Sequence, residues 1–252
     1  MQGSRRIEGS VALVTGANRG IGRALTEALL ERGAAKVYAA ARDPRTLVAL
    51  GDRHGSRLVA LRLDVTDAGQ VAGVASRATD VDLLINNAGA FEPTSLTDDA
   101  IVDVARREME VNYFGVLRVL AGFAGTLAGR GGVIVNIGSA AGLTNVPLQP
   151  TYSASKAAQH SLTQAARALL AGQGVTVHGV YPGPVDTDMT RDLPPQFQKT
   201  APDEVAKAIL DGVEAGVDDI FPDPFAVALG EQFHSSPKAV EREMAALVAV
   251  SA

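Results

Sequence analysis

The chain passes from the apolar run Val11–Val14 into the glycine-rich stretch Thr15-Gly16-Ala17-Asn18-Arg19-Gly20-Ile21-Gly22, and then into a helix-forming segment. Glycines between a strand and a helix allow a tight turn and let the backbone approach a pyrophosphate, and the N–H groups at the start of the helix attract negative charge. The spacing G-x-x-x-G-x-G differs from the commonest dinucleotide fingerprint, G-x-G-x-x-G. The stretch predicts a strand–loop–helix unit that can hold a phosphate, although the same glycines could serve only a tight connection.

Outside this stretch, short β-branched runs alternate with longer segments rich in Ala, Leu, Arg and Glu. Most of the runs are almost continuously apolar, as expected of parallel strands covered on both faces. This order predicts an α/β fold, a doubly wound parallel sheet of about seven strands flanked by helices on both faces. The predicted strands are Val11–Thr15, Lys36–Ala41, Leu58–Leu63, Asp82–Asn86, Gly132–Gly138, Val175–Val180 and Asp219–Phe221. The predicted helices are Ile21–Arg32, Ala68–Ala78, Thr97–Leu127, Tyr152–Ala171, Pro202–Ala215, Phe225–Phe233 and Pro237–Val250.

The sequence shows no repeat, low-complexity linker or shift in composition that would mark a second domain. We expect one domain over residues 1–252, with a core at 7–190, a substrate loop at 187–202 and a helical extension at 203–252. In such folds ligands bind beyond the carboxyl ends of the strands, so these ends are where chemistry is expected.

The composition excludes several classes of function. The 252 residues include no cysteine, which removes disulfides, thiolate metal sites, iron–sulfur clusters and thiol nucleophiles. The four histidines lack metal-ligand spacing, so no metal is expected. The 23 basic and 28 acidic residues give a net charge of −5, which argues against nucleic acid as a partner.

Uninterrupted apolar runs are short throughout the chain. None reaches the roughly 18 residues of a membrane span, and the polar segment Met1–Ser10 is followed by too short an apolar run for a signal peptide. We therefore expect a cytoplasmic protein without a membrane partner.

The end of the second predicted strand bears on which dinucleotide would bind. An acidic residue there would bond a ribose 2′-hydroxyl, whereas an arginine accommodates a 2′-phosphate. The strand ends in Ala41-Arg42-Asp43, and Arg19 of the glycine-rich stretch could approach the same phosphate. Two guanidinium groups on one dianion favour NADP(H). The alternative is that Arg42 is a solvated surface charge and that Asp43, one residue on, binds the ribose.

Tyr152 and Lys156 stand four residues apart in a predicted helix and therefore on one face of it. A free tyrosine, with a pKa of about 10, is a poor base at neutral pH. An adjacent ammonium favours the phenolate, which would lower the pKa of Tyr152 and make it an acid/base for an alcohol or carbonyl oxygen. A core Tyr beside a surface Lys would fit the same spacing.

Ser139 ends the predicted strand before this helix, thirteen residues ahead of Tyr152. Its hydroxyl could hold the oxygen of a substrate, or it could cap a turn. The surrounding Gly-Ser-Ala-Ala-Gly lacks the spacing of a hydrolase nucleophile elbow.

In this order and spacing, the motifs resemble the short-chain dehydrogenase/reductase family of Rossmann-fold NAD(P)(H) oxidoreductases. The resemblance runs from about Val11 to Met189. The matching segments are Thr15–Gly22, Asp64-Val65, Asn86-Asn87-Ala88-Gly89, Asn112, Ser139, Tyr152 with Lys156, and Pro182-Gly183-Pro184-Val185-Asp186-Thr187.

The resemblance implies four catalytic residues. Tyr152 would be the general acid/base, and Lys156 would lower its pKa and bind the nicotinamide ribose. Ser139 would orient the carbonyl. Asn112 would support a water-linked proton relay through Lys156, a role that rests on the resemblance alone.

The resemblance also implies the contacts of the cofactor. Asp64 and Val65 would flank the adenine. The middle of the cofactor would lie along Asn87, Ala88 and Gly89. The nicotinamide would be lined by Pro182, Gly183, Val185 and Thr187, the last able to bond its carboxamide.

The implied function is that of an NADPH-dependent carbonyl reductase, a ketoreductase that converts a ketone or aldehyde reversibly to an alcohol. Two alternatives remain: an NAD-dependent alcohol dehydrogenase that works oxidatively, and a dinucleotide-sensing protein without turnover. Family members are commonly oligomers, so a homotetramer or dimer is expected, with Thr97–Leu127 and Tyr152–Ala171 at an interface. The candidate substrate pocket is mostly apolar and favours a neutral carbonyl; it comprises Phe91, Ala140, Ala141, Leu143, Leu148, Gln149 and Met189.

Overall fold

A seven-stranded parallel sheet organises the computed structural model of the chain, which describes residues 6–193 and 197–250. The strands are β1 (Val11–Thr15), β2 (Lys36–Ala41), β3 (Leu58–Arg62), β4 (Leu83–Asn86), β5 (Val133–Ile137), β6 (Thr176–Val180) and β7 (Asp219–Ile220). Their order is β3-β2-β1-β4-β5-β6-β7, and every neighbouring pair is parallel. The predicted strands are therefore confirmed, with ends that shift by one residue at most.

Helices connect the strands and continue beyond the last one. They are α1 (Gly20–Glu31), α2 (Val48–His54), α3 (Ala68–Ala75), α4 (Ile101–Met109), α5 (Val116–Leu127), α6 (Pro150–Ala171), α7 (Pro202–Glu214), α8 (Pro224–Ser235) and α9 (Pro237–Val250). Within the described ranges, no helix is long and apolar enough to cross a membrane.

The helices cover both faces of the sheet, because alternate residues of a strand point to opposite sides. Ala12 and Val14 of β1 pack in a cluster that contains side chains of α1 and α7. Leu13, between them, packs with side chains of α3, α5 and α6. All three are fully buried. This arrangement confirms the predicted doubly wound α/β fold and explains why the strands read as unbroken apolar runs.

Between β2 and β3, where no element is predicted, the chain forms a 3-10 turn over Pro44–Leu47 and then α2. The Asp43 side chain accepts a hydrogen bond from Arg45 N and so caps the turn. Leu47 and Leu50, three residues apart, are the buried side chains of this segment. Two buried apolar positions and a helix of seven residues give too short a periodic pattern to be recognised in sequence.

The predicted helix Thr97–Leu127 begins later, at Ile101, and is interrupted by a π-helical segment over Glu110–Gly115. The segment lies against the loop after β3, where a Cβ on Gly115 would come within 2.7 Å of Val65 Cγ2. Such widened turns often occur at functional sites. This one carries Asn112.

The helical extension packs onto the segment that follows β5. Leu229 of α8 and Val240 and Met244 of α9 form a small apolar cluster with Ala140. The extension therefore lies next to Ser139, one of the predicted catalytic residues.

Two glycines, each the third residue from the end of its helix, test how closely the helices pack on the sheet. Gly212 of α7 faces Ile220 of β7, and a Cβ there would lie 2.8 Å from Ile220 Cγ1, whereas a Cβ on Gly125 of α5 meets nothing within 4 Å. We expect Gly212→Ala to lower the free energy of unfolding by about 1–3 kcal/mol through overpacking. Gly125→Ala should raise it by about 0.5–1 kcal/mol, because alanine is the better helix former. Denaturant unfolding of both variants checks this, and equal effects would contradict it.

Candidate active site

The predicted site residues gather at the carboxyl edge of the sheet, where the strand order reverses. β1 has β2 on one side and β4 on the other, so the connections from β1 and β4 diverge and leave a crevice. The glycine-rich stretch leaves β1 there, and Gly16 and Gly20 adopt φ angles of 65° and 53°, which favour glycine.

Asn87, which follows β4, ties the glycine-rich loop to the neighbouring strand. Its Nδ2 donates to Thr15 O at 2.9 Å and to Gly16 O at 3.1 Å. A Cβ on Gly22 would come 2.3 Å from this amide nitrogen and 2.3 Å from Gly16 O. Since no side chain fits at Gly22, the loop lies directly on the first turn of α1.

The N-terminus of α1 is left without a side-chain cap. Arg19 occupies the capping position but makes no capping hydrogen bond, and the first turn holds no acidic residue. The Arg19 guanidinium instead pairs with Asp188 at 3.4 Å, and Thr187 packs against Gly20. This helix end therefore has no capping side chain at Arg19, and the contact of its N–H groups with a pyrophosphate stays a prediction.

A cavity of about 430 Å³ beyond β2 contains Arg42 and, in addition, Arg45 and Arg62. Asp43 also lines it, but Arg45 binds its carboxylate at 2.7 Å, and this hydrogen bonding lowers the pKa of Asp43 to about 2. Arg19, which was expected to approach the same 2′-phosphate as Arg42, does not line this cavity and instead pairs with Asp188. Arg62 ends β3 opposite Ala41, so the strand-end argument applied to β2 could also have identified it.

Asp64 and Val65, predicted to flank the adenine, shape the loop after β3. The Asp64 carboxylate accepts hydrogen bonds from Thr66 N at 3.0 Å and from Thr66 Oγ1 at 2.7 Å. Val65 is buried against Gly115. The carboxylate thus closes a turn, and its adenine contact stays a prediction.

Lys156 reaches from α6 to the end of β5 and is only 4% exposed. Its Nζ donates to Ile137 O at 3.0 Å and to Gln159 Oε1 at 2.8 Å, and it lies 5.8 Å from the ring centroid of Tyr152. Burial disfavours the charged amine and lowers the pKa of Lys156 to about 7. The sequence spacing thus brings Tyr152 and Lys156 to one site, which excludes the alternative of a surface Lys.

The pKa of Tyr152 differs from the prediction. Burial raises the pKa of Tyr152 to about 12, and hydrogen bonding to the Ser139 hydroxyl opposes this rise only in part. The expectation that Lys156 lowers the pKa of Tyr152 is wrong for this structure. The physical reason is that the phenolate is poorly solvated here, while the ammonium is held by Ile137 O and Gln159.

Ser139 caps a turn, which confirms one of its two sequence interpretations, and its contact with a substrate oxygen stays a prediction. Its hydroxyl oxygen accepts a hydrogen bond from Ala141 N at 3.2 Å and so caps the 3-10 turn Ala140–Gly142. The same hydroxyl lowers the pKa of Tyr152. It therefore lies at the phenol, where it can also reach a substrate oxygen.

Asn112 is fully buried, and its side chain makes three hydrogen bonds that hold the surrounding chain. Its Oδ1 accepts from Ala90 N at 2.8 Å, and its Nδ2 donates to Ala90 O at 2.8 Å and to Ser155 Oγ at 2.9 Å. A Cβ on Gly89 would lie 3.4 Å from Asn112 Oδ1 and 3.7 Å from Lys156 Nζ. Asn112, Gly89 and Lys156 thus meet in one place, and the relay through Asn112 stays a prediction.

Glu108, one turn before Asn112, belongs to the same site and was not predicted. It is fully buried, and its Oε1 accepts a hydrogen bond from Glu92 N at 3.0 Å. Burial raises the pKa of Glu108, whose charge in turn contributes to the raised pKa of Tyr152. Between Ala90 and Glu92, the Phe91 ring meets Tyr152 edge-on with centroids 5.3 Å apart. A glutamate in an amphipathic helix resembles a surface residue, so no sequence pattern indicates this role.

The predicted nicotinamide segment after β6 is fixed on both sides. Pro182 O accepts from Ala140 N at 2.9 Å, and Gly183 N donates to the carboxylate of Asp223 at 2.8 Å. Asp223 is buried and also caps α8, which again links the helical extension to the site.

The predicted substrate loop is closed at its base. Val185 bridges to Thr200, whose N donates to Pro184 O at 3.0 Å and whose O accepts from Asp186 N at 2.9 Å. Thr187, expected to bond the nicotinamide carboxamide, forms a capping box with Thr190. Residues 194–196 of this loop lie outside the described residues. In the part of the chain that is described, no three His, Asp or Glu side chains are grouped to hold a metal ion.

Comparisons with known proteins agree with this geometry. The family model of the short chain dehydrogenases matches residues 10–198. The 3-oxoacyl-(acyl-carrier-protein) reductase FabG of Vibrio harveyi is 35% identical over 240 residues, which cover 92% of each chain. A short chain dehydrogenase from Burkholderia cenocepacia in complex with NADP has a TM-score of 0.89 and 42% identity, covering 95% of this chain and 99% of that one. A relative from Burkholderia phymatum in complex with NAD has a TM-score of 0.81 and 27% identity, covering 93% and 96%.

The family model spans most of the chain, and the similar proteins match it over nearly their whole length. The resemblance seen in the motifs is therefore confirmed: the chain belongs to the short-chain dehydrogenase/reductase family of oxidoreductases.

Proposed function

We propose that this protein is an NADPH-dependent carbonyl reductase. The observation that carries the proposal is the meeting of Tyr152, Ser139 and the buried Lys156 at the carboxyl edge of the sheet, next to the glycine-rich loop. A bound nicotinamide would supply the hydride, and the protein would supply alignment and the proton. The cofactor would lie on the glycine-rich loop and along Gly89 and Gly183.

The protonated phenol of Tyr152 is suited to the acid role that reduction requires. Because the pKa of Tyr152 is raised to about 12, its phenol is protonated at neutral pH. Reduction needs a proton donor at the carbonyl oxygen, whereas oxidation needs a base at the alcohol. The Lys156 ammonium would stabilise the phenolate that remains once the proton has been given.

The arginine cavity supports NADPH over NADH. Arg42, Arg45 and Arg62 surround a space of about 430 Å³, and Asp43, the alternative ribose ligand, is taken by Arg45. Guanidinium groups suit the dianionic 2′-phosphate. Among the similar proteins, one structure holds NADP and another NAD, so the cavity is what supports this choice.

The walls near Tyr152 support a neutral carbonyl substrate. Phe91 packs on the Tyr152 ring, and Ala140 and Ala141 are buried beside Ser139. We expect neutral ketones to give a higher kcat/KM than keto acids when NADPH oxidation is measured across aldehydes, ketones, diketones, keto acids and β-ketoacyl thioesters. Preference for a charged keto acid would contradict this.

Assembly and location are part of the proposal. Exposed apolar side chains on α4, α5 and α6 and on the π-helical segment support an oligomer, a tetramer or dimer, through the helices predicted for the interface. They are Val102, Phe114, Leu117 and Leu169, with exposed fractions of 56%, 42%, 37% and 74%. The cytoplasm is the proposed location.

Removing the phenol tests the reaction. We expect Tyr152→Phe to lower kcat for ketone reduction by about 10²–10⁴-fold, since the general acid is lost, while NADPH still binds. Tyr38→Phe is the matched control. Among the described residues the Tyr38 hydroxyl bonds only Lys36 and Asp80, and Tyr38 lies in the amino-terminal half of β2. Steady-state NADPH oxidation and a fluorescence titration of NADPH check both. Full activity in Tyr152→Phe would overturn the mechanism and would show that another group is the acid, whereas NADPH binding without any turnover in the native chain would favour a binding protein.

Reversing the charge at Arg42 tests the preference for NADPH over NADH. We expect Arg42→Asp to lower kcat/KM for NADPH by about 10–100-fold, because a charge-assisted hydrogen bond to phosphate is lost, and to leave NADH little changed. Arg53→Ala, which removes an exposed arginine paired with Glu27, serves as control and should not alter the ratio. An unchanged preference in Arg42→Asp would show that Arg42 is only a surface charge.

A further inference from the structure

The ammonium of Lys156 has a side-chain acceptor that neither the sequence motifs nor the proposed function uses. Gln159 lies nearly one turn after Lys156 on α6 and is 1% exposed. Its Oε1 accepts a hydrogen bond from Lys156 Nζ at 2.8 Å, and its Nε2 donates to Ile137 O at 3.1 Å. Ile137 O also accepts from Lys156 Nζ at 3.0 Å, so the three groups form a closed triangle.

Only one orientation of the Gln159 amide satisfies this triangle. If the amide were reversed, its NH₂ would face the Lys156 ammonium, donor against donor, and its oxygen would face Ile137 O. Both bonds would be lost in a buried place, where unpaired polar groups are costly. The amide oxygen is therefore fixed on the ammonium.

A buried polar chain anchors Gln159 to two strands. Its main-chain oxygen accepts from Thr163 Oγ1 at 2.9 Å, and Thr163 Oγ1 accepts from Asn136 Nδ2 at 3.0 Å. Asn136 Oδ1 in turn accepts from Asn86 Nδ2 at 2.8 Å. The chain runs from β4 through β5 to α6 and ties this turn of α6 to the sheet, while the Gln159 amide itself is held by Ile137 O.

We propose that Gln159 is a positioning residue for Lys156, whose ammonium it holds at the end of β5 and keeps in its charged form. The proposal rests on the proposed function, in which charged Lys156 supports Tyr152. An ammonium has three N–H donors. Ile137 O and Gln159 Oε1 occupy two, which leaves one for the cofactor ribose or the Tyr152 side of the cleft.

The direction of the pH effect follows from the charge. Burial lowers the pKa of Lys156 to about 7, and an acceptor bonded to the ammonium opposes this by favouring the charged form. Above the pKa of Lys156 its neutral amine no longer stabilises the Tyr152 phenolate. We therefore expect kcat/KM for ketone reduction to fall as pH rises through the pKa of Lys156. Without the Gln159 acceptor the pKa of Lys156 is lower still, so the fall in kcat/KM begins at lower pH. A carboxylate at position 159 raises the pKa and delays the fall.

The experiment compares Gln159→Leu and Gln159→Glu with the native chain. We measure kcat/KM for a neutral ketone at saturating NADPH between pH 5.5 and 9. We expect the midpoint of the alkaline fall to move down by about one pH unit in Gln159→Leu and up by about one unit in Gln159→Glu. Shifts in the same direction, or profiles that coincide with the native one, would overturn the proposal.

Thr163→Val is the matched structural control. It removes the hydroxyl that bonds Gln159 O and Asn136, on the same helix face and equally buried, but leaves Gln159 Oε1 on Lys156. We expect a lower Tm and an unchanged midpoint. A midpoint that moves as in Gln159→Leu would show that the packing of α6, not the amide oxygen, sets the state of Lys156, and would overturn the proposal.

A measurement without turnover separates this proposal from the proposed function. The chain has only five lysines, so a ¹³Cε-lysine NMR titration resolves each amine, with Lys156→Met assigning the signal. We expect the pKa of Lys156 to fall in Gln159→Leu and to rise in Gln159→Glu. If the Lys156 signal titrates identically in the native chain and in both variants, the proposal is overturned even if the protein reduces ketones. Conversely, opposite shifts together with a fully active Tyr152→Phe would leave Gln159 in its role and remove the proposed mechanism.

Discussion

The burial of the Lys156 ammonium between the end of β5 and α6 is the constraint on which the site depends. Moving a charge out of water costs several kcal/mol, of the order found for buried ions, unless it is given good acceptors. Ile137 O and Gln159 Oε1 are those acceptors, and the chain Thr163–Asn136–Asn86 ties α6 to the sheet beside them. Tyr152, four residues earlier on the same helix, is thereby placed beside Ser139 at the sheet edge.

A second group of contacts holds the other wall of the cleft. Asn112 and Glu108, one turn apart and both fully buried, bond the main chain of Ala90 and Glu92 and so set Phe91 against Tyr152. On the far side, Asp223 holds Gly183 and caps α8. The widened π-helical turn and the helical extension therefore have one effect in common: each fixes a segment that borders the reacting groups.

Strand positions, fold class and family could be predicted, because unbroken apolar runs and the Thr15–Gly22 stretch depend on local chemistry alone. The segment between β2 and β3 could not, since α2 buries only Leu50 and its pattern is too short. Arg62 could have been found by extending the strand-end argument from β2 to β3, but Glu108 comes to the site through helix packing, which no local pattern records. The raised pKa of Tyr152 was missed for the same reason: spacing shows that Lys156 is near, but not how much water the fold removes.

The central claim is that Tyr152, held beside Ser139 and the buried Lys156, gives a proton to a carbonyl while NADPH is consumed. The most direct measurement compares, at pH 7, kcat/KM for a neutral ketone with NADPH and kcat/KM for the corresponding alcohol with NAD⁺. The account predicts that reduction with NADPH exceeds oxidation with NAD⁺ by at least about tenfold, which corresponds to 1.4 kcal/mol in transition-state free energy. A faster oxidation with NAD⁺, or no NADPH oxidation with any carbonyl, would contradict it.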